Sequence, residues 1–133
     1  MMALTKNRAT PRRANEDHHD PVAGGETIYQ GAIVMLSAAG NAVKGKTATG
    51  LKPRGVAQEE IDNSNGADGD KGVLTRKGCH RFRNDGSVTR ADIGATAYVI
   101  DDNTVANSNG GSTRSALGEI TDVDAHGVWV DIA

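Results

Sequence analysis

Gly31-Ala32-Ile33-Val34-Met35-Leu36 returns later in the chain as Gly94-Ala95-Thr96-Ala97-Tyr98-Val99-Ile100. A second pair follows at the same spacing: Arg54-Gly55-Val56-Ala57 returns as Leu117-Gly118-Glu119-Ile120. Both glycine pairs, Gly31 with Gly94 and Gly55 with Gly118, lie 63 residues apart. Two anchors at one offset predict two copies of one small β unit.

The texture around these anchors agrees. From Gly24 onward, short apolar runs alternate with turn clusters such as Asn63-Ser64-Asn65-Gly66, Asn84-Asp85-Gly86 and Asn107-Ser108-Asn109-Gly110-Gly111. The runs predict strands over 27–36, 54–58, 72–76, 80–83, 95–100, 116–121 and 127–132. Gly127–Ile132 is the clearest, because Val128, Val130 and Ile132 alternate with Trp129 and Asp131, the mark of a strand with two unlike faces. A short helix over 58–62 is compatible with the pattern, and no segment reads as a long amphipathic helix. The expectation is an all-β fold, a small barrel or sandwich built from two pseudo-repeated β units.

Residues 1–23 read differently, as an extended charged arm ahead of a β domain over 24–133. Lys6, Arg8, Arg12 and Arg13 come first, then Glu16, Asp17 and Asp20 around His18-His19. Pro11 and Pro21 interrupt helix formation, and apolar periodicity is absent. Such an arm is either disordered or ordered by a partner.

The 133 residues fit one compact domain plus a tail. One Phe, one Trp and two Tyr leave the core to Val, Ile, Leu and Ala, so docking to another subunit is expected to add stability. A net charge of −2 argues against polyanion binding by bulk electrostatics. A single cysteine, Cys79, excludes an intrachain disulfide. No apolar run approaches the roughly 20 residues that cross a bilayer, and no apolar stretch follows the basic N-terminus, so neither a membrane span nor a secretory signal is expected.

Several motifs carry possible chemistry. Gly40-Asn41-Ala42-Val43-Lys44-Gly45-Lys46-Thr47 satisfies the phosphate-loop pattern at every defined position, with Lys46 and Thr47 in the phosphate and metal places, and Ala97–Asp101 resembles the strand that ends in a Mg²⁺-binding Asp. That loop works only where a helix begins at its Lys-Thr end. Here Ala48-Thr49-Gly50-Leu51-Lys52-Pro53 follows, which is poor helix sequence, so a Gly-rich hairpin is the expectation. Asp62, Ser64, Asp68 and Asp70 alternate like Ca²⁺ ligands, but Ala67 stands where a glycine is required and no Glu closes the loop, so a solvated turn is expected. His18-His19-Asp20 lacks the spaced ligands of a zinc site. Cys79-His80 are strand neighbours aimed at opposite faces, and a buried structural Cys79 is expected. Lys71, Arg76, Lys77, Arg81 and Arg83 read as a solvent-facing strand surface or an interface rim. Lys6, Arg8, Arg12 and Arg13 stand without aromatic neighbours to stack on bases, which favours carboxylates of a protein partner over nucleic acid.

The series Gly24–Val34, Pro53–Ala57, Gly69–Leu74, Gly94–Val99, Leu117–Ile120 and Gly127–Ile132 resembles, in order and spacing, the capsid cement (head decoration) proteins of tailed bacteriophages. The resemblance covers residues 24–132 and leaves out the arm. It implies a small β-rich virion structural protein on the outer surface of the mature head. It further implies homo-oligomers, trimers in many members, that bridge major capsid protein subunits and stabilise them. It brings no catalytic residue, no cofactor and no membrane or nucleic-acid partner. Lys6, Arg8, Arg12 and Arg13 are then the candidate capsid-contact residues. Another virion piece, such as a tail component, is the alternative, and a phosphate-loop nucleotide-binding protein is the reading of a different class.

Overall fold

The structure, a computed structural model, describes residues 2–133; Met1, the first residue of the expected arm, lies outside them. The chain is all-β. The first unit holds β1 (Asp17–Pro21), β2 (Thr27–Ile28), β3 (Ile33–Leu36), β4 (Ala42–Lys44), β5 (Lys52–Ala57), β6 (Ile61–Asp62) and β7 (Gly72–Arg76). The second holds β8 (Gly78–Asn84), a 3-10 turn at Arg90–Asp92, β9 (Thr96–Val99), β10 (Thr104–Ala106), β11 (Ala116–Asp124) and β12 (Gly127–Ile132). The first unit's sheet runs β1-β7-β5-β3-β4, with β2-β6 as a small side pair. The second runs β8-β12-β11-β9-β10 and closes on itself as a barrel. The order of corresponding strands is the same.

The repeat holds at the level of register. Met35 pairs with Val43 as Tyr98 pairs with Ala106. Val34 pairs with Gly55 as Ala97 pairs with Gly118, and a bulge follows in both units, skipping Arg54 in one and Leu117 in the other. Gly31 N donates to Ala57 O, and Gly94 N to Ile120 O, each at 2.8 Å. Both glycines hold left-handed backbone, φ 88° and 93°, which explains why this anchor is glycine twice. β1 corresponds to β8: His18 pairs with Thr75 where His80 pairs with Val130. The last strand breaks the 63-residue spacing because the first unit makes a long excursion through β6, whereas a tight turn at Asp124–Gly127 joins β11 to β12.

The closures differ for a covalent reason. β10 meets β8 in parallel through Thr104↔Arg83 and Val105↔Asn84, and Arg83 N donates to Asn103 O at 2.8 Å. The counterpart of Arg83 is Pro21, which has no N–H to give. The first unit therefore closes through a single parallel bridge, Val22↔Ala42.

Burial explains how the units join. Val22, Ile28, Ala32, Val34, Ala42, Ala57 and Val73 fill the first unit. Ile33, Met35, Val43 and Val56 point the other way and belong to the second barrel's cluster with Phe82, Val99, Leu117, Val130 and Ile132. β3 is thus apolar on both faces, as its uninterrupted run Ile33-Val34-Met35-Leu36 suggests, while β9 (Thr96-Ala97-Tyr98-Val99) is apolar on one.

Three expectations are corrected. The arm is shorter than residues 1–23, because Asp17–Pro21 pair with β7 and Val22 is fully buried. Residues 58–62 form no helix; Ile61 and Asp62 pair with β2. The expected strand over 27–36 breaks at Tyr29–Ala32, where Ala32 N donates to Tyr29 O in a turn.

The paired glycines give a stability test. A Cβ on Gly55 would stand 2.7 Å from Arg76 O, and one on Gly118 would overlap the corresponding carbonyl, Asp131 O. Gly118→Ala is expected to cost about 2–4 kcal/mol, as a backbone clash in a central strand. Chemical denaturation reads this directly, and an unchanged midpoint would contradict the register described.

Candidate functional site

Two regions carry the charge that a binding role needs. The first is the arm. Residues 2–17 are all exposed, and no regular element forms before Asp17. Residues 2–13 contain Lys6, Arg8, Arg12 and Arg13 and no acid, leaving residues 14–133 with 11 cations against 17 anions. None of the four arm cations forms an ion pair among the described residues. They are strung along the chain rather than gathered, and fully extended the segment reaches about 40 Å. Arg13 lines a cavity of about 300 Å³ with Asp17, His18, His19, Arg54 and Leu74.

That cavity marks the second region, the end of the first barrel. The strand alternation of β1 turns His18 and Asp20 toward the interior and His19 outward. Arg54, the bulge residue of β5, reaches Asp20 through a bidentate pair, Nε to Oδ2 at 2.7 Å and Nη2 to Oδ1 at 3.1 Å. The corresponding residues in the second barrel are Phe82 and Leu117, both buried and apolar. Thr75 likewise stands where Val130 stands. One barrel end is therefore ionic and its twin is greasy. His18 is 9% exposed, and its Nε2 is buried without a hydrogen-bond partner. Burial, with Arg54, Lys77 and Arg13 nearby, lowers its pKa below the ordinary imidazole range, and the Asp20 carboxylate only partly offsets this.

The other motifs resolve into structural roles. Gly40 lies at the tip of the β3–β4 hairpin, where its N–H donates to Ser37 O at 2.9 Å. Thr47 donates to Ile100 O at 2.8 Å, and the chain runs on into β5 with no helix behind the Lys46-Thr47 end. The helix N-terminus that a phosphate loop depends on is not built. In the acidic loop, the carboxylates serve turn N–H groups: Asp62 takes Ser64 N, Asp68 takes Gly24 N, and Asp70 takes Ala67 N. No group of three or more His, Cys, Asp or Glu side chains among the described residues is placed to hold a metal ion. Cys79 is exposed, not buried, with Sγ 3.1 Å from Thr121 Oγ1, while His80 lies against Lys77 O. The basic run divides: Arg76 pairs with Asp17 at 2.8 Å, Arg81 lies 5.8 Å over the Trp129 ring, and Lys77 forms no ion pair among the described residues. No helix is long and apolar enough to cross a membrane.

Sequence reasoning singled out the arm cations, which the structure leaves exposed, and missed the Asp20–Arg54 pair. The offset of 63 could have found Arg54 opposite Leu117, but Asp20 opposite Phe82 required the strand pairing of β1 with β7. Comparison with family models, curated proteins and solved structures returned no match.

Two measurements follow from the ionic barrel end. Asp20→Ala strands the Arg54 guanidinium and is expected to cost about 2–4 kcal/mol, whereas Asp20→Phe with Arg54→Leu copies the twin barrel and should cost less than either single change. If the double variant is the worst of the three, the correspondence of the two ends is wrong. His18 sets an acid limit. With its folded pKa lowered, the unfolded chain takes up the proton first, so this contribution is whole above about pH 6.5 and is lost as pH falls below it. Melting temperature should decline from pH 7 to 5, and His18→Asn should flatten that decline.

Proposed function

We propose that this protein is a capsid cement protein of a tailed bacteriophage, which binds the outer surface of the mature head and bridges major capsid protein subunits. The ordered motif series over residues 24–132 supports this reading. The observation that carries it is the exposed arm: four cations with no ion pair among the described residues, on a segment without regular structure ahead of a doubled barrel. A rigid body spanning a seam between capsomers, with a flexible charged extension reaching onto the next subunit, adds modest contacts that act together through effective concentration. The role is binding, not chemistry. Lys6, Arg8, Arg12 and Arg13 pair with capsid carboxylates, and the charge-assisted bonds order the arm on the lattice.

Co-sedimentation with mature, undecorated capsids of its phage tests the reading. Saturable binding at a copy number fixed by lattice sites is expected. Deleting residues 2–13, which spares Glu16 and β1, should weaken binding about tenfold or more and reduce its salt dependence. Absence of binding to both immature and expanded capsids would sink the cement role, and binding to isolated tails instead would favour the tail component.

A further inference from the structure

Where the arm meets the first barrel, hydrogen-bond donors outnumber the acceptors left to receive them. The cavity there is lined by Arg13 from the arm, Asp17, His18 and His19 from β1, Arg54 from β5 and Leu74 from β7. Asp17 is the one carboxylate among these lining residues, and Arg76 already holds both its oxygens, Nε to Oδ1 at 2.8 Å and Nη2 to Oδ2 at 3.3 Å. Asp20, on the inward face of β1, is likewise held by Arg54. The donors are less fully used. A guanidinium carries five N–H groups. Arg54 spends Nε and Nη2 on Asp20, and its Nη1 has no hydrogen-bond partner among the described residues. The Arg54 side chain keeps 24% of its surface open to solvent. Arg13 is exposed and forms no ion pair among the described residues. His18 lines the same cavity, is nine-tenths buried, and has an Nε2 without a partner.

The second barrel has no such surplus. His80 stands where His18 stands, and its Nε2 lies 3.2 Å from Lys77 O. Phe82 and Leu117 occupy the places of Asp20 and Arg54. The unspent donors therefore came with the divergence of this one end, not with the shared fold. A buried polar atom without a partner costs free energy that a bound acceptor returns.

We propose that this cavity binds a small oxyanion, either the tetrahedral oxyanion of a phosphate or sulfate group or the planar one of a carboxylate. Arg13 and Arg54 supply charge-assisted donors, and His18 Nε2, when it carries a proton, supplies a third. A cavity of about 300 Å³ has room for a group of several waters' volume. The inference goes beyond the capsid reading, and its test contains no capsid.

Binding is coupled to protonation. On β1, Asp17, His19 and Asp20 stand beside His18; Arg54 comes from β5, Arg76 and Lys77 from the end of β7, and Arg13 and Glu16 from the arm. Burial holds the His18 pKa down, aided by Arg54, Lys77 and Arg13 and opposed by Asp20. An anion between the arginines offsets that penalty, so its binding draws a proton onto His18 and tightens as pH falls through about 6.5.

Titration of the full chain with sodium sulfate, and separately with sodium acetate, at constant ionic strength tests the proposal. The readout is the NMR signal of the His18 ring, identified by its absence in His18→Asn. A saturable shift with half-saturation at about 1–10 mM is expected, and the tighter of the two anions tells a phosphate-type group from a carboxylate. Arg13→Gln, at an exposed position, should weaken binding about fivefold. Asp20→Phe with Arg54→Leu, which copies the second barrel, should abolish it, and circular dichroism checks that both variants keep the wild-type fold. Sulfate remains a dianion from pH 7.5 to 5.5, and over that range its binding, followed by backbone amide shifts, should tighten about threefold in wild type and not in His18→Asn. Shifts that never saturate with either anion would overturn the proposal. Binding that survives unchanged in Arg13→Gln and in the double variant would place the anion elsewhere, and equal pH dependence in His18→Asn would remove His18 from the site; either result also overturns it.

Discussion

The burial of Ile33, Met35, Val43 and Val56 between the two barrels is the interaction on which the rest depends. A five-stranded unit of about 60 residues has too little interior to be comfortably stable alone. With so few aromatic residues, each barrel is filled by Val, Ile, Leu and Ala. Each large aliphatic side chain removed from water contributes about 1.5–3 kcal/mol. Four of them on one seam make the pair of barrels a single folding body. Gly45 shows how tight the seam is: a Cβ there would come within 3.0 Å of Val99 Cγ1 and Asp101 O.

The same seam explains why two copies of one unit diverged where they did. Several positions inside both barrels stay apolar: Val34 with Ala97, Ala42 with Val105, Ala57 with Ile120. The bulge glycines stay glycine, because a carbonyl of the next strand fills the Cβ position in each unit. Several positions at the seam are apolar only in the copy that is covered, although Leu36 and Ala106 keep the aliphatic character of Val99 and Val43. On the uncovered copy they become Thr96, Glu119, Asp20 and Arg54, side chains that tolerate water and, when paired, partial burial. A partly buried pair such as Asp20–Arg54 adds little net stability over an apolar pair of similar size. Its presence at an exposed barrel end is therefore better explained by avoidance of a greasy surface patch than by a gain in stability.

Much of the fold was legible in the chain. The glycine offset gave the doubling, and the contrast between Ile33-Val34-Met35-Leu36 and Thr96-Ala97-Tyr98-Val99 held the information that one copy is buried on both faces. The strands that escaped notice are β1, β4, β6 and β10. Asp17-His18-His19-Asp20 is polar throughout, and only pairing with β7 and the ion pair to Arg54 make it a strand. Ala42–Lys44 and Thr104–Ala106 have three residues each, too few for alternation to register. The proposed helix over 58–62 failed because Ile61 is drawn to Ile28 across the side pair, a contact invisible to local propensity. The ionic barrel end was hidden for the same reason: it is assembled from β1, β5 and β7, which lie far apart in sequence.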